Sequence, residues 1–574
     1  MHTVETVLLV LMLGALTGIA ARYVRAIPLP LIQIALGALI AWPQDGLHIA
    51  FDPELFLLLF IPPLLFADGW RIPKREFFAL AKPILLLAFG LVFITVFGLG
   101  YLIHWMIPSI PLTVAFALAA VVSPTDAVAV SAISRNLGMP SKTMHLLEGE
   151  SLLNDASGLV ALKFAVAATL TAGSFSWENA AKDFTWMSVG GLGLGALMGW
   201  GFSRGRDMVT RRVGDVAATQ MVLLLILLPF ASYIMGEYIG VSGILSAVAA
   251  GVATIFVDLG GSDFILERLL TEGPWGMVEA AFNGAIFLLL GLQLPSIIGE
   301  TLRGAAHRDV WLLLGYVAAI SCALLALRWA WLMLGVRSSL HKAHRQGRMV
   351  ERPSALLTLA TTVAGIRGAV TLAAALSIPT HLANGRVFPE RNLLIFLATG
   401  TILFTLVLGS IVLPLLLRRI PPVEDTQAQH EERLARTAAC QAAIASLALP
   451  EDQAQQHSAQ WLAQHQEVAG RITQEYRNRI QLLDESGVAN TPEAQSDSPE
   501  VVHERRLRYL REIELRLHCI QVERNTLYAE RQAHRINDEM LRSMVSELDM
   551  SEVSLRKRLA VARRAVGLPP LEGH

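Results

Sequence analysis

Two short strings decide how this chain folds: Ser123-Pro124-Thr125-Asp126 and Glu148-Gly149-Glu150-Ser151-Leu152-Leu153-Asn154-Asp155. Both lie inside apolar stretches long enough to cross a bilayer, over 112–134 and 146–172. A carboxylate at membrane depth costs on the order of 2.5–3.5 kcal/mol even on lenient insertion scales, so it marks an ion or proton path by default. The first string also carries a proline, which removes a backbone donor and disfavours helical geometry at Ser123. A broken helix beside an acidic one is how transporters build a site near the bilayer midplane.

The rest of the chain suits that setting. Its 574 residues are 53% hydrophobic and 17% charged, and the mean hydropathy is +0.49. Such a chain is too apolar for a soluble protein of this size and reads as all-α and multi-span. A net charge of -1 gives no basic field for nucleic acid. Cys322, Cys440 and Cys519 have neither metal-ligand nor disulfide spacing. No basic region precedes the first apolar run, so 4–21 reads as a retained span and not a cleaved signal.

Apolar windows of spanning length fall at 4–21, 27–43, 54–69, 83–106, 112–134, 146–172, 187–203, 217–238, 240–256, 276–298, 310–336, 354–379 and 392–417, about thirteen in all. Basic residues gather in alternate loops: Arg22 and Arg25; Arg71, Lys74, Arg75 and Lys82; Arg135 and Lys142; Arg204, Arg206, Arg211 and Arg212; Arg337 to Arg352; Arg418 and Arg419. Intervening loops are poorer in charge or carry Asp45, Asp52 and Glu178. Only 257–275 dissents, with Asp258, Asp263, Glu267 and Glu272, and acids weigh little in this rule. The expected topology places the N-terminus outside and the C-terminus inside.

Beyond residue 420 the chain changes character. Half of its 48 Asp and Glu fall there, and no window could span a membrane. The stretch 421–574 therefore reads as a helical cytoplasmic tail. Leu510, Ile513, Leu517, Ile520 and Leu527 follow a heptad-like spacing, broken by Arg524, on an expected helix over 500–563. That helix either packs on its own domain or makes a dimer contact. Residues 484–500 read as a linker.

On the helix over 146–172, Ser151 and Asp155 share one face and Glu150 and Asn154 the next. The first face offers oxygen ligands for a hard monovalent cation; Glu148 reads as a solvated helix end. After the break at Pro124, Thr125 presents a hydroxyl, and Asp126 can compensate the positive end of the second half-helix. A plain proline kink is the simpler alternative. A matching irregularity is Val363-Ala364-Gly365-Ile366-Arg367-Gly368-Ala369-Val370-Thr371, where Arg367 would face negative half-helix ends or else snorkel from a span end. Paired interruptions of this kind signal an inverted repeat with two broken helices. Arg328 lies deep in its run and needs an anion, for which Glu150 is the candidate. Gly191, Gly195 and Gly199 form a small-residue face for close packing. Lys163 either tunes Asp155 or orients elsewhere. Glu279 and Asn283 share a face and could line a cavity.

PPLLFADG (62–69), SPTDAVAV (123–130), EGESLLNDASGLV (148–160) and GIRGAV (365–370) together resemble the monovalent cation/proton antiporter family, in its bacterial sodium/proton exchanger branch with an Asn-Asp pair. The resemblance covers residues 1–420 in order and spacing. It implies about thirteen helices and a homodimer in the bacterial inner membrane. It further implies a core domain (83–172 and 310–417) moving as an elevator against dimerisation helices (1–69 and 217–298), with 421–574 regulatory. It implies Asp155 as the exchanged carboxylate, with Ser151, Thr125 and Asp68 as further Na+ ligands and Asn154 in the ion and proton site. Glu150 would pair with Arg328, while Asp126 and Arg367 serve the helix crossing. No cofactor is expected beyond the transported Na+ and H+, and no enzymatic activity.

One desolvated carboxylate with two mutually exclusive guests is enough for exchange, since proton and cation each neutralise it. Asn154 keeps the site one charge poorer than a double-aspartate version, which by the resemblance favours electroneutral exchange. A K+/H+ antiporter is the runner-up within this class. A cation channel is a rival class, as is a receptor whose tail is the working end. A primary pump is disfavoured by the lack of a phosphate-binding loop.

Overall fold

The computed structural model describes residues 2–20, 27–42, 53–72, 74–134, 137, 139–170, 177–213, 218–257, 265–304, 309–346, 354–381, 386–420, 434, 437–438, 440–447, 459–485, 499–532 and 538–566. The loop charges Arg22, Arg25, Asp45, Asp52, Arg135, Asp258, Asp263, Arg348 and Arg352 lie outside them, as does most of the linker over 484–500. The chain divides into two compact units, Met1–Val423 and Glu424–His574.

Among the described residues the first unit is helical, apart from one isolated bridge between His381 and Val387. Its helices are α1 (His2–Ala20), α2 (Leu29–Ala41), α3 (Pro53–Arg71), the short α4 (Lys74–Ala79) and α5 (Ala81–Met106). They continue with α6 (Leu112–Val122), α7 (Ala127–Ser134), α8 (Ser141–Leu170), α9 (Trp177–Val213), α10 (Ala218–Ile239) and α11 (Gly243–Val257). The last are α12 (Ile265–Gly304), α13 (Val310–Arg345), α14 (Ala355–Val363), α15 (Ala369–Leu376) and α16 (Arg391–Leu417).

All thirteen apolar windows fall on helix, but by length and composition seven helical stretches among the described residues are fit to cross a membrane. For three of the six windows that fall short the source is physical. Windows 27–43 and 240–256 yield helices of 13 and 15 residues, shorter than the ~20 residues that a hydrocarbon core of ~30 Å asks of an untilted helix. The window at 354–379 is interrupted.

Both expected interruptions are present and they touch. Helix α6 stops at Val122 and α7 starts at Ala127, with Ser123–Asp126 between; α14 stops at Val363 and α15 starts at Ala369. The Asp126 N–H donates to Ile366 O at 2.8 Å, joining one break to the other. Such unwound backbone is tolerated at depth only where protein or a wet cavity receives its polar groups. Two glycines make room for the crossing. A Cβ on Gly158 of α8 would lie 2.9 Å from Pro124 Cδ and 3.2 Å from Ala120 O, and one on Gly368 would run into the Asp126 carboxylate.

Helix α5 widens into a π-turn at Leu86–Leu91, and inside it the Ala88 carbonyl accepts from Ser157 Oγ of α8 at 2.6 Å. Nothing in the sequence signals that turn. The face of Gly191, Gly195 and Gly199 packs against the backbone of α11: a Cβ on Gly195 would run into the Ser246 carbonyl and one on Gly199 into that of Ala250.

In the second unit, α17 (Ala459–Glu485) precedes α18 (Pro499–Gln532) and α19 (Asp538–Ala565). The single helix expected over 500–563 is thus two. They pair antiparallel, with Leu510 and Ile513 buried together with Leu559 and Ala562 and flanked by Tyr509, Leu517 and Leu555. Arg524, which interrupts the apolar spacing, forms ion pairs with Asp549 and Glu552 across the hairpin.

Candidate functional site

Helix α8 carries the acidic string through the interior, and burial separates its members. Glu148 has a side chain 40% exposed, beside His145. Glu150, Ser151, Asn154 and Asp155 are all buried. The gap from Glu148 to Glu150 is less than one turn, yet it takes the chain from solvent to core.

Ser151 reaches across to the first break. Its hydroxyl donates to Thr125 O at 2.8 Å and accepts the Ala127 N–H at 3.2 Å. A hydroxyl has one donor and two acceptor sites, so one lone pair remains. Thr125 is engaged in the same way: its Oγ1 accepts from Asn154 Nδ2 at 2.8 Å and lies 3.5 Å from Glu150 Oε1. Asp126 caps α7, its Oδ1 accepting from the Val128 and Ala129 N–H groups at 2.8 and 3.1 Å. The negative cap lies at the positive end of the half-helix.

Arg367 holds the opposite ends. Its Nε donates to Val122 O, the last carbonyl of α6, at 2.9 Å, and its Nη1 donates to Gly365 O. Its own N–H donates to Thr405 Oγ1 of α16 at 3.2 Å. Arg328 meets Glu150 in a two-pronged ion pair, Nη2 to Oε2 at 2.8 Å, with both side chains 1% exposed. Arg328 Nε also donates to Thr361 O at 3.2 Å, so the pair joins α8, α13 and α14.

A cavity of about 40 Å³ opens at the crossing, enough for a few waters or a partly hydrated ion. Asp155, Ser151, Thr125 and Asp126 line it from the α6–α8 side, Asp68 from α3, Glu279 and Asn283 from α12, and Thr371 from α15. Four carboxylates face it, and no Lys, Arg or His is among the described residues lining it. That arrangement attracts cations and repels anions.

The structure thus brings Asp155, Ser151, Thr125 and Asp68 to one cavity. Asn154 does not line it; its amide nitrogen positions Thr125, and its Oδ1 is buried with no hydrogen-bond partner among the described residues. Lys163 points elsewhere, to Glu237 at 3.2 Å, with both side chains at least 40% exposed. Thr371 and Ser157 lie in strings that stand out in the sequence, but neither residue is marked individually for the site or its frame, and Thr405 has no signal at all. Hydroxyls on apolar helices carry no local sign of what they face.

The match to known proteins follows this geometry. Residues 8–419 fit the family model described as sodium/hydrogen exchanger, transmembrane. The chain belongs to the sodium/hydrogen exchanger family. It is a multi-pass membrane protein of the cation/proton antiporter class, which moves monovalent cations and protons, and it is not an enzyme.

The chain is 42% identical over 556 residues to an uncharacterized Na(+)/H(+) exchanger, YjcE, of Escherichia coli (strain K12), covering 96% of this chain and 98% of that one. It is 46% identical over 432 residues to a sodium, potassium, lithium and rubidium/H(+) antiporter of Bacillus pumilus, covering 74% of this chain and 64% of that one. The fold is similar to that of the sodium proton antiporter MjNhaP1 of Methanocaldococcus jannaschii, with a TM-score of 0.55 at 17% identity over 73% of this chain and 99% of that one.

Proposed function

We propose that this chain exchanges Na+ for H+ across the bacterial inner membrane, electroneutrally, with Asp155 holding either the cation or the proton. The observation that carries this reading is the buried Asp155 carboxylate facing a cavity at the crossing of two broken helices. The remaining lone pairs of Ser151 and Thr125, with Asp68 opposite, make a set of oxygen ligands suited to a small monovalent ion. Asn154 adds no charge, and with Asp155 as the one carboxylate that changes guest, one cation is exchanged for one proton.

Alternating access would come from an elevator-type movement of core helices, about 83–172 and 310–417, against interface helices, about 1–69 and 217–298. A homodimer with the N-terminus outside and a cytoplasmic regulatory tail over 421–574 belongs to the same proposal. K+/H+ exchange is the second reading, favoured by the Bacillus pumilus relative, whose name includes sodium, potassium, lithium and rubidium.

The test is cation-driven proton flux in proteoliposomes holding the full chain, with Na+, Li+ or K+ and at several pH values. Asp155→Asn abolishes coupled flux, and Asn154→Asp retains turnover. Because proton and cation compete, each unit fall in pH raises the apparent KM for the cation about tenfold while the proton holds the site. Normal exchange by the Asp155→Asn protein, or a KM indifferent to pH, overturns the assignment.

A further inference from the structure

The cavity has a wall that the exchange step does not use. Glu279 and Asn283 stand four residues apart on α12, so they share a face, and both line the cavity that Asp155 and Asp68 line. Glu279 Oε2 accepts an ion-pairing hydrogen bond from Arg71 Nη1, at the last residue of α3. Its other oxygen, Oε1, is buried and has no hydrogen-bond partner among the described residues.

The two members of the pair differ in access. The Arg71 side chain is 43% exposed and that of Glu279 is 18% exposed. The guanidinium therefore sits toward solvent, while the carboxylate faces inward with one oxygen bare. A buried acceptor left without a donor is destabilising, and more so when charged. A guest cation in the cavity would remove that cost, and the Asn283 side-chain oxygen, one turn along, would complete its contact.

We propose that Glu279 and Asn283 form a second station for a monovalent cation, on the exposed side of the cavity, with Arg71 as its resident stand-in. An arriving ion takes the carboxylate, and Arg71 turns out into water. A guanidinium is weakly hydrated and tethered to α3, so it neutralises Glu279 without competing for Asp155. This inference rests on the exchange reading and extends it from one ion position to two in series.

The full chain in proteoliposomes, probed with Na+, Li+ and K+, tests it. Glu279→Gln should raise the Na+ KM about tenfold, the factor carried by about 1.4 kcal/mol, with a smaller change in maximal rate. The ratio of the three KM values should also change, because direct contact senses ion size. Arg71→Gln, which frees the carboxylate, should lower KM several-fold. The exchanged pair Arg71→Glu/Glu279→Arg keeps the charge and the ion pair but moves the carboxylate away from Asn283. It should behave like Glu279→Gln.

Wild-type KM in the exchanged pair would reduce Arg71–Glu279 to a tie between helices. Equal shifts for all three ions would reduce Glu279 to a remote field on Asp155. Either result overturns the station. Should Glu279→Gln not fold, Arg71→Gln and Asn283→Ala decide the matter, since unchanged KM in both excludes the station. Absence of exchange by the wild type strikes the exchange reading itself. Intact exchange with these KM values unmoved strikes only the second station.

Discussion

Ser151 and Thr125 each commit a donor and an acceptor to neighbouring groups and keep one lone pair for a guest. In the proposed exchange their hydroxyls would therefore serve fold and ion at once, whereas Glu150 and Arg328 bond to each other and join helices. With both side chains 1% exposed, neither charge has water to fall back on. Removing one partner strands the other, at about 3–5 kcal/mol, while replacing both with neutral groups of similar size is far milder. Glu150→Gln and Arg328→Met should each lower the thermal unfolding midpoint in detergent, and the double substitution should recover much of the loss. Singles that melt like the wild type would show that the pair is solvated and incidental.

At the level of elements, the crossing of α6–α7 with α14–α15 depends on the absence of a side chain at two glycines. Gly368→Ala inserts a methyl against the Asp126 carboxylate, and Gly158→Val pushes on Pro124 and Ala120. Overpacking of this kind costs about 1–3 kcal/mol and displaces backbone. Both variants should reach the membrane yet lose most cation-driven flux; wild-type flux from both would mean that the crossing does not shape the site.

The tail hairpin offers a separate test at this scale. Hydrogen bonding from Arg524, with further help from Arg556, holds the Glu552 carboxyl below the usual carboxylate range. Its folded value lies below its unfolded one, so the stabilisation is present above about pH 4.3 and is lost as pH falls through the folded value. Hydrogen-exchange protection over α18 and α19 in the full chain, taken relative to the intrinsic exchange rate at each pH, should fall on acidification below that point. In Arg524→Ala the same segment should already exchange faster at neutral pH and respond less to acid. Solvent screening keeps the effect modest.

For the whole molecule, the division after Val423 separates a helical membrane unit from a charged helical one. Both broken helices and every residue lining the cavity lie in the first unit. A chain ending at Val423 should keep cation-driven flux. If the tail is regulatory, its removal should shift the pH–activity curve. A shortened chain with an unmoved curve removes that role, and one that loses flux altogether makes the tail part of the transport machinery.

Hydropathy, prolines, glycines and charge are local properties, so helix positions, both breaks and the acidic string on α8 are legible in the amino-acid sequence alone. The likeness to antiporters rests on the same strings. Arg328 shows its need for an anion, Glu150 is the candidate from the residues themselves, and the resemblance implies the same pair. What a helix faces is settled by partners far along the chain, and there the tertiary structure decides. Lys163 turns to Glu237, Asn154 backs Thr125 without lining the cavity, and the expected tail helix folds as a hairpin around Arg524. The pairing of Arg71 with Glu279 spans 208 residues, and no periodicity within either helix could announce it.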